Sequence, residues 1–270
     1  MAHTIQLYNQ TDRQLHFLSQ IIAKANRTFI PAKKDDSHTN LYFDNIGSKI
    51  IGRWIKTENS KLLFSLNLNS LNFELLDEAF NVKTSIPTIS KLLPEIENEL
   101  ENAMVEIGLK PEGFKTKLHY EIPEYDFVKK PVEAANPVGL KNWKETRTLA
   151  NEACTALLGY AQLEGEIRIW PHHFDTGIYF KPKNKLGVGF GLAMQDEMAK
   201  APYFYIAAYP KGIDIDYKNL PQGPWKWEIG EYWKGAYLTL KELEKQSLAH
   251  KKEIINNYLK AIYDWIILQS

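Results

Sequence analysis

Residues 166–180 read Glu-Ile-Arg-Ile-Trp-Pro-His-His-Phe-Asp-Thr-Gly-Ile-Tyr-Phe, setting two adjacent histidines and an aspartate among aromatic side chains. Imidazole and carboxylate bind divalent metals, move protons near neutral pH and orient one another. The surrounding pattern is that of a β-strand. On a regular strand Ile167, Ile169, His173 and Asp175 share one face, and Arg168, Trp170, His172 and Phe174 the other. Pro171 offers no ladder donor, so it calls for an edge strand or a bulge near Trp170, and a bulge changes the parity beyond it. With parity intact, Asp175 orients His173 or shares a metal with it.

Several chemistries are open to these residues. A divalent metal, zinc, manganese or iron, would take His172, His173, Asp175 and the downstream Asp196-Glu197 as ligands, and a metal-dependent hydrolase would use the same set. Adjacent histidines point to opposite faces of a strand, so both reach one ion only at a bulge. No His-Glu-x-x-His spacing accompanies them. The competing reading is a Trp-Pro corner whose histidines bond the backbone. A hydrolase triad lacks a Gly-x-Ser-x-Gly elbow. The single cysteine, Cys154, sits in a helical pattern beside Ala150, Ala153 and Leu157, which predicts a buried, slow thiol.

A small-molecule pocket is the third chemistry. Trp170, Phe174, Tyr203, Tyr205, Tyr209, Trp225, Trp227 and Trp233 crowd the second half, and Arg168, His172, His173 and Asp175 supply polar groups. Aromatics also build ordinary cores. Asp214-Ile-Asp216 lacks the glycine and terminal glutamate of a calcium loop, and Gly187-Val-Gly189-Phe-Gly191 lacks the Lys-Ser/Thr ending of a phosphate loop.

These residues need elements to hold them. Thr11 to Gln14 has capping-box chemistry, and Leu15, Leu18, Ile22 and Ala25 follow at helical spacing, so a helix is predicted to end before Pro31. Four strand-like runs from Leu41 to Leu76 predict an antiparallel meander. Residues 88–107 carry an apolar stripe of helical period, with Pro94 as a kink or first turn and Gly108 as the C-terminal cap. Residues 114–122 alternate as a strand containing His119. A second capping box at Asn142 to Glu145 opens a helix to about Gly159. Strands follow at 187–192, 203–209 and 236–240, with loops at 194–202 and 211–233. A long helix closes the chain at 247–268. Helices segregated on antiparallel sheet imply an α+β fold with two similar halves: residues 1–130, a linker at 131–141, and residues 142–270.

The 270 residues carry 33 basic and 33 acidic side chains, so no basic excess points to nucleic acid. One cysteine excludes a disulfide framework. No stretch has the length of a membrane span and the first residues hold no apolar signal core, which predicts a soluble cytoplasmic protein.

Phe174-Asp175, Gly189-Phe190 and the segment Pro202-Tyr-Phe-Tyr-Ile-Ala-Ala-Tyr-Pro210 resemble a family of uncharacterised bacterial proteins, a domain of unknown function. That family is similar in an aromatic-x-x-Phe-Asp strand, a Gly-Phe loop and a Pro-x-Phe-Tyr segment. It carries Gly-Ser where this chain has His172-His173. The resemblance implies the same order of elements over most of the chain and no activity. The expectation is therefore a binding protein with a polar-aromatic pocket in the second half. A metal-dependent hydrolase and a protein-interaction module are the alternatives.

Overall fold

The structure is a computed structural model that describes residues 2–269. Its fold is α+β, as the segregated helices and alternating strands imply. The chain divides into two compact units. The N-terminal unit comprises Gln10–Lys144 and Ile169–Phe174. The C-terminal unit comprises the chain up to Asn9, Glu145–Arg168 and everything from Asp175 onward. The compositional linker at 131–141 is not where this division falls.

In the N-terminal unit, β1 (Tyr42–Asp44), β2 (Lys49–Lys56), β3 (Lys61–Asn67), β4 (Asn72–Leu76) and β5 (Val82–Pro87) form an antiparallel meander in that order. Sequence predicts the first four. The exposed β5, with Val82 and Lys83 outward, is an addition. Helix α1 (Ala2–Phe29) begins nine residues before the predicted Thr11 cap, and Thr11 is a buried mid-helix residue. The helix lies close on β2 at Gly52, where a Cβ would come within 2.6 Å of Asn26 Oδ1 and 2.8 Å of Ile22. Buried Asn26 serves that contact by accepting from Arg53 N at 2.9 Å and donating to Asn40 O at 2.9 Å.

Helix α2 (Leu93–Glu106) starts later than predicted because Pro94 sits in its first turn, where a missing N–H costs nothing. Ile89 instead bridges Val132. Ile96, Leu100, Ala103 and Met104 form its buried stripe, and Gly108 follows at φ 82°. The predicted strand at 114–122 is absent. Its carbonyls go to Arg27, whose guanidinium donates to those of Gly113, Phe114, Thr116 and Lys117, and the segment runs as turns.

Helix α3 (Pro137–Ala161) starts at a proline with Asn136 Oδ1 accepting from Val138 N, so Asn142 is interior and its predicted cap does not form. The predicted single strand at 166–180 is two: β6 (Arg168–Trp170) and β7 (Asp175–Lys183), parted by a turn. In the C-terminal unit β7, β8 (Leu186–Ala193), β9 (Tyr203–Pro210), β10 (Lys226–Ile229) and β11 (Lys234–Thr239) lie in the order β10-β11-β9-β8-β7. Strand β10 falls inside a predicted loop. A short α4 (Leu240–Leu243) precedes α5 (Leu248–Leu268), which Ser247 caps by accepting from His250 N. One sheet face carries Ile178, Phe180, Val188, Phe190, Leu192, Phe204, Ile206 and Leu238. These form a single core with Ala153, Cys154 and Leu157 of α3 and Ile255, Leu259, Ile262 and Ile266 of α5.

Candidate functional site

The turn after β6 belongs to the N-terminal unit and is held by α1. Phe174 N donates to Trp170 O at 2.7 Å, and Phe174 adopts φ 56°, a left-handed conformation costly for a bulky residue. Packing holds it there. Its ring is fully buried, stacked on His16 at 5.2 Å between centroids and on Trp143 at 6.1 Å. The Pro171 carbonyl accepts from His16 Nε2 at 3.0 Å and from Gln20 Nε2 at 2.8 Å. Because a carbonyl only accepts, His16 carries its proton on Nε2, and its Nδ1 meets the Tyr125 hydroxyl at 2.6 Å. The Trp143 indole donates to Asp12 Oδ1 at 2.7 Å.

At the surface of this turn His172 is half-buried and His173 exposed, with ring centroids 4.3 Å apart. His172 also meets Tyr120 at 5.5 Å, and the Tyr120 hydroxyl donates to Gln20 Oε1 at 2.9 Å. Burial pushes the Tyr120 and Tyr125 phenols above their ordinary range. Sequence reasoning missed His16, Gln20, Tyr120 and Tyr125. Their signal was a helix buried on most sides between Leu15 and Ala23, where His16, Ser19 and Gln20 had to find partners.

Asp175, Asp196, Glu197, Tyr203 and Tyr205 belong to the C-terminal unit, whose sheet turns its second face away from α3 and α5. That face is a floor of glycines roofed by tyrosines. Alternate β8 positions are Gly187, Gly189 and Gly191. A Cβ at Gly187 would collide with the Tyr179 ring, at Gly189 it would lie 2.9 Å from Tyr209, and at Gly191 3.0 Å from the Tyr205 hydroxyl. Gly191 pairs directly with Tyr205, whereas Tyr179 and Tyr209 reach their glycines diagonally. The Gly-x-Gly-x-Gly run is thus where tyrosine side chains come close to the β8 backbone, an approach only glycine permits.

Carboxylates tether two tyrosines of this face. Tyr205 donates to Asp175 Oδ2 at 2.5 Å, and Tyr203 to Asp196 Oδ2 at 2.6 Å. Asp196 Oδ1 also accepts from Ala199 N, fixing the loop before β9. Burial first, then the neighbouring carboxylates, pushes both phenols up, so they remain protonated donors. Asp175 is buried and its Oδ1 has no hydrogen-bond partner. Tyr203 packs edge-on to Tyr237 at 5.8 Å, and Tyr179 to Tyr209 at 5.8 Å. Tyr179 and Tyr237 are half-buried and Tyr209 is exposed.

The other candidates divide differently. Glu197 is exposed, and Arg168 pairs with Glu166 at 3.2 Å. Trp225 and Trp227 leave the proposed pocket set: both indoles donate to Pro221 O, and their rings pack on Tyr258 and Trp265 of α5. Among the described residues no three His, Cys, Asp or Glu side chains are grouped to hold a metal ion. Cys154 is fully buried, and burial raises its thiol, so it is a packing residue. Among the described residues no helix is long and apolar enough to cross a membrane.

No protein family, no curated protein and no solved structure matches this chain.

Proposed function

We propose that the protein is a small-molecule binding protein whose ligand lies on the tyrosine–glycine face of the C-terminal unit. One observation carries the reading: β8 gives up side chains at Gly187, Gly189 and Gly191 to Tyr179, Tyr209 and Tyr205, and on the same face Tyr205 and Tyr203 are bonded to carboxylates. Clustered aromatic rings beside fixed carboxylates suit a ligand that is itself a ring bearing hydroxyl or amine donors. Tyr179, Tyr209 and Tyr237 supply stacking surface, and Asp196 and Asp175 supply acceptors. Both tethered phenols stay protonated and the thiol is buried, which favours binding over phenolate or thiolate attack.

The test is a panel of phenols, indoles, ring amines and pyranose sugars, followed by intrinsic fluorescence. A compound of this class is expected to bind saturably. Tyr209→Ala, which removes an exposed ring, should abolish binding with little change in melting temperature, and Asp196→Asn should weaken it. Saturable binding by no member of the panel, or binding indifferent to both substitutions, would overturn the reading.

A further inference from the structure

The N-terminal unit holds a cleft of about 800 Å³ between α1 and residues 126–137, a size suited to a small ligand rather than to a single ion. Its apolar side is Phe17 with Phe127, edge to face at 5.9 Å. Both walls are braced. Tyr125 stacks on Phe127 at 5.3 Å, and its hydroxyl is bonded to His16. Gln14 Nε2 donates to Glu133 O at 2.6 Å, tying α1 to that segment. Behind the wall Val132 exchanges hydrogen bonds with Lys91 O and Ser90 N, and Pro131 and Pro137 stiffen the segment.

Four charged side chains line this cleft, Arg13, Lys130, Asp126 and Glu133, and among the described residues none makes an ion pair or a side-chain hydrogen bond. They are two of each sign, all exposed at the cleft surface, and this balance of charge points to the ligand class. A simple anion would meet both carboxylates, and a simple cation both basic groups. A neutral apolar molecule would leave all four charges idle. A molecule with an apolar body and one charge of each sign, held apart, answers the whole lining.

We infer that this cleft binds a short apolar peptide by its free termini, with side chains against Phe17 and Phe127, the carboxylate at Arg13 and Lys130, and the ammonium at Asp126 and Glu133. Arg13 offers a planar fork to the carboxylate, which a lysine cannot replace. The volume exceeds what one amino acid fills, which favours a di- or tripeptide. This site lies in the unit that does not carry the tyrosine–glycine face, so neither reading depends on the other.

The probe is the tripeptide Leu-Phe-Leu, titrated into the full chain by calorimetry beside its N-acetylated, C-amidated form. Saturable binding of the free peptide is expected. Capping both ends should weaken it at least about tenfold, the size of one charge-assisted hydrogen bond lost. Arg13→Gln should weaken the free peptide by a similar factor and leave the capped form unchanged. Tyr209→Ala should have no effect on either. Thermal unfolding of Arg13→Gln matching the parent protein excludes a folding defect. No saturable binding of the free peptide, equal binding of the capped one, or indifference to Arg13→Gln would each overturn the inference.

Discussion

Gly191 shows how one residue governs the tyrosine face. A methyl group there would sit 2.6 Å from Thr176 O and 3.1 Å from Gly177 Cα, both backbone of the paired strand, so neither can move aside. Gly191→Ala is expected to cost about 1–3 kcal/mol as overpacking and to dislodge the Tyr205–Asp175 bond. Gly159 in α3 is the control, because nothing lies within 4 Å of a Cβ there. Gly159→Ala should be neutral or stabilising by up to about 1 kcal/mol, since alanine is the better helix residue. Urea unfolding of both variants checks the contrast, and a Gly191→Ala protein as stable as its parent would refute it. At this scale the sequence was partly legible. Cys154 is buried as its small neighbours predict, and Tyr205 donates to Asp175 while Tyr203 donates to Asp196. That Gly187, Gly189 and Gly191 were the partners of Tyr179, Tyr209 and Tyr205 was not readable, because it depends on which strands pair and in which register. His16 escaped notice for the same reason: its partners, Tyr125 and Pro171, are over a hundred residues away.

Elements were legible where local pattern and tertiary demand agree. The stripe of α5 from Ile255 to Ile266 and the β2–β3 hairpin formed where expected, because helical or alternating periodicity there matches the buried face, whereas Leu248, expected on the same stripe, is exposed. They were not legible where a distant side chain claimed the backbone. Residues 114–122 alternate like a strand, yet Arg27 takes the carbonyls of Gly113, Phe114, Thr116 and Lys117. One guanidinium thus replaces a sheet ladder. Arg27→Met keeps the length of the side chain and removes the donors, leaving these carbonyls to water. A loss of about 1–3 kcal/mol is expected, as for hydrogen bonds to a charged group. Hydrogen exchange should rise first in 113–120 and not in β2–β4. Uniform exchange with unchanged stability would show that the four contacts do not organise the segment. The turn at 171–174 is the second case. Pro171 signalled a break in the strand, but not that His16 and Gln20 on α1 would bond its carbonyl and help hold a turn there.

Across the whole molecule, each unit buries ionisable groups in their neutral form, and that sets how stability responds to pH. Tyr205 and Tyr258 are pushed well above the ordinary phenol value of 10 by burial, and Cys154 above its ordinary 9. The same holds for Tyr120 and Tyr125 in the N-terminal unit. Raised folded-state values mean that the unfolded chain releases these protons first as pH climbs. Stability is therefore fully present below about pH 9 and falls as pH rises through 10 and beyond. His38 works in the opposite direction. Burial lowers its folded-state value below the ordinary 6.5, and its Nδ1 accepts from Lys33 N, a bond that protonation removes. The unfolded chain then takes up the proton first on acidification, so this contribution is lost as pH falls through 6.5. Urea midpoints measured from pH 5 to pH 11 are expected to form a plateau near neutrality with a steep alkaline fall, because several buried hydroxyls act together there. Tyr258→Phe separates the causes. It loses the hydrogen bond to Ala236 O, 2.6 Å in the parent, and so starts lower, yet one ionisation fewer should make its alkaline fall shallower. A parallel fall in parent and variant, or a midpoint still flat at pH 11, would show that buried tyrosines do not set the alkaline limit.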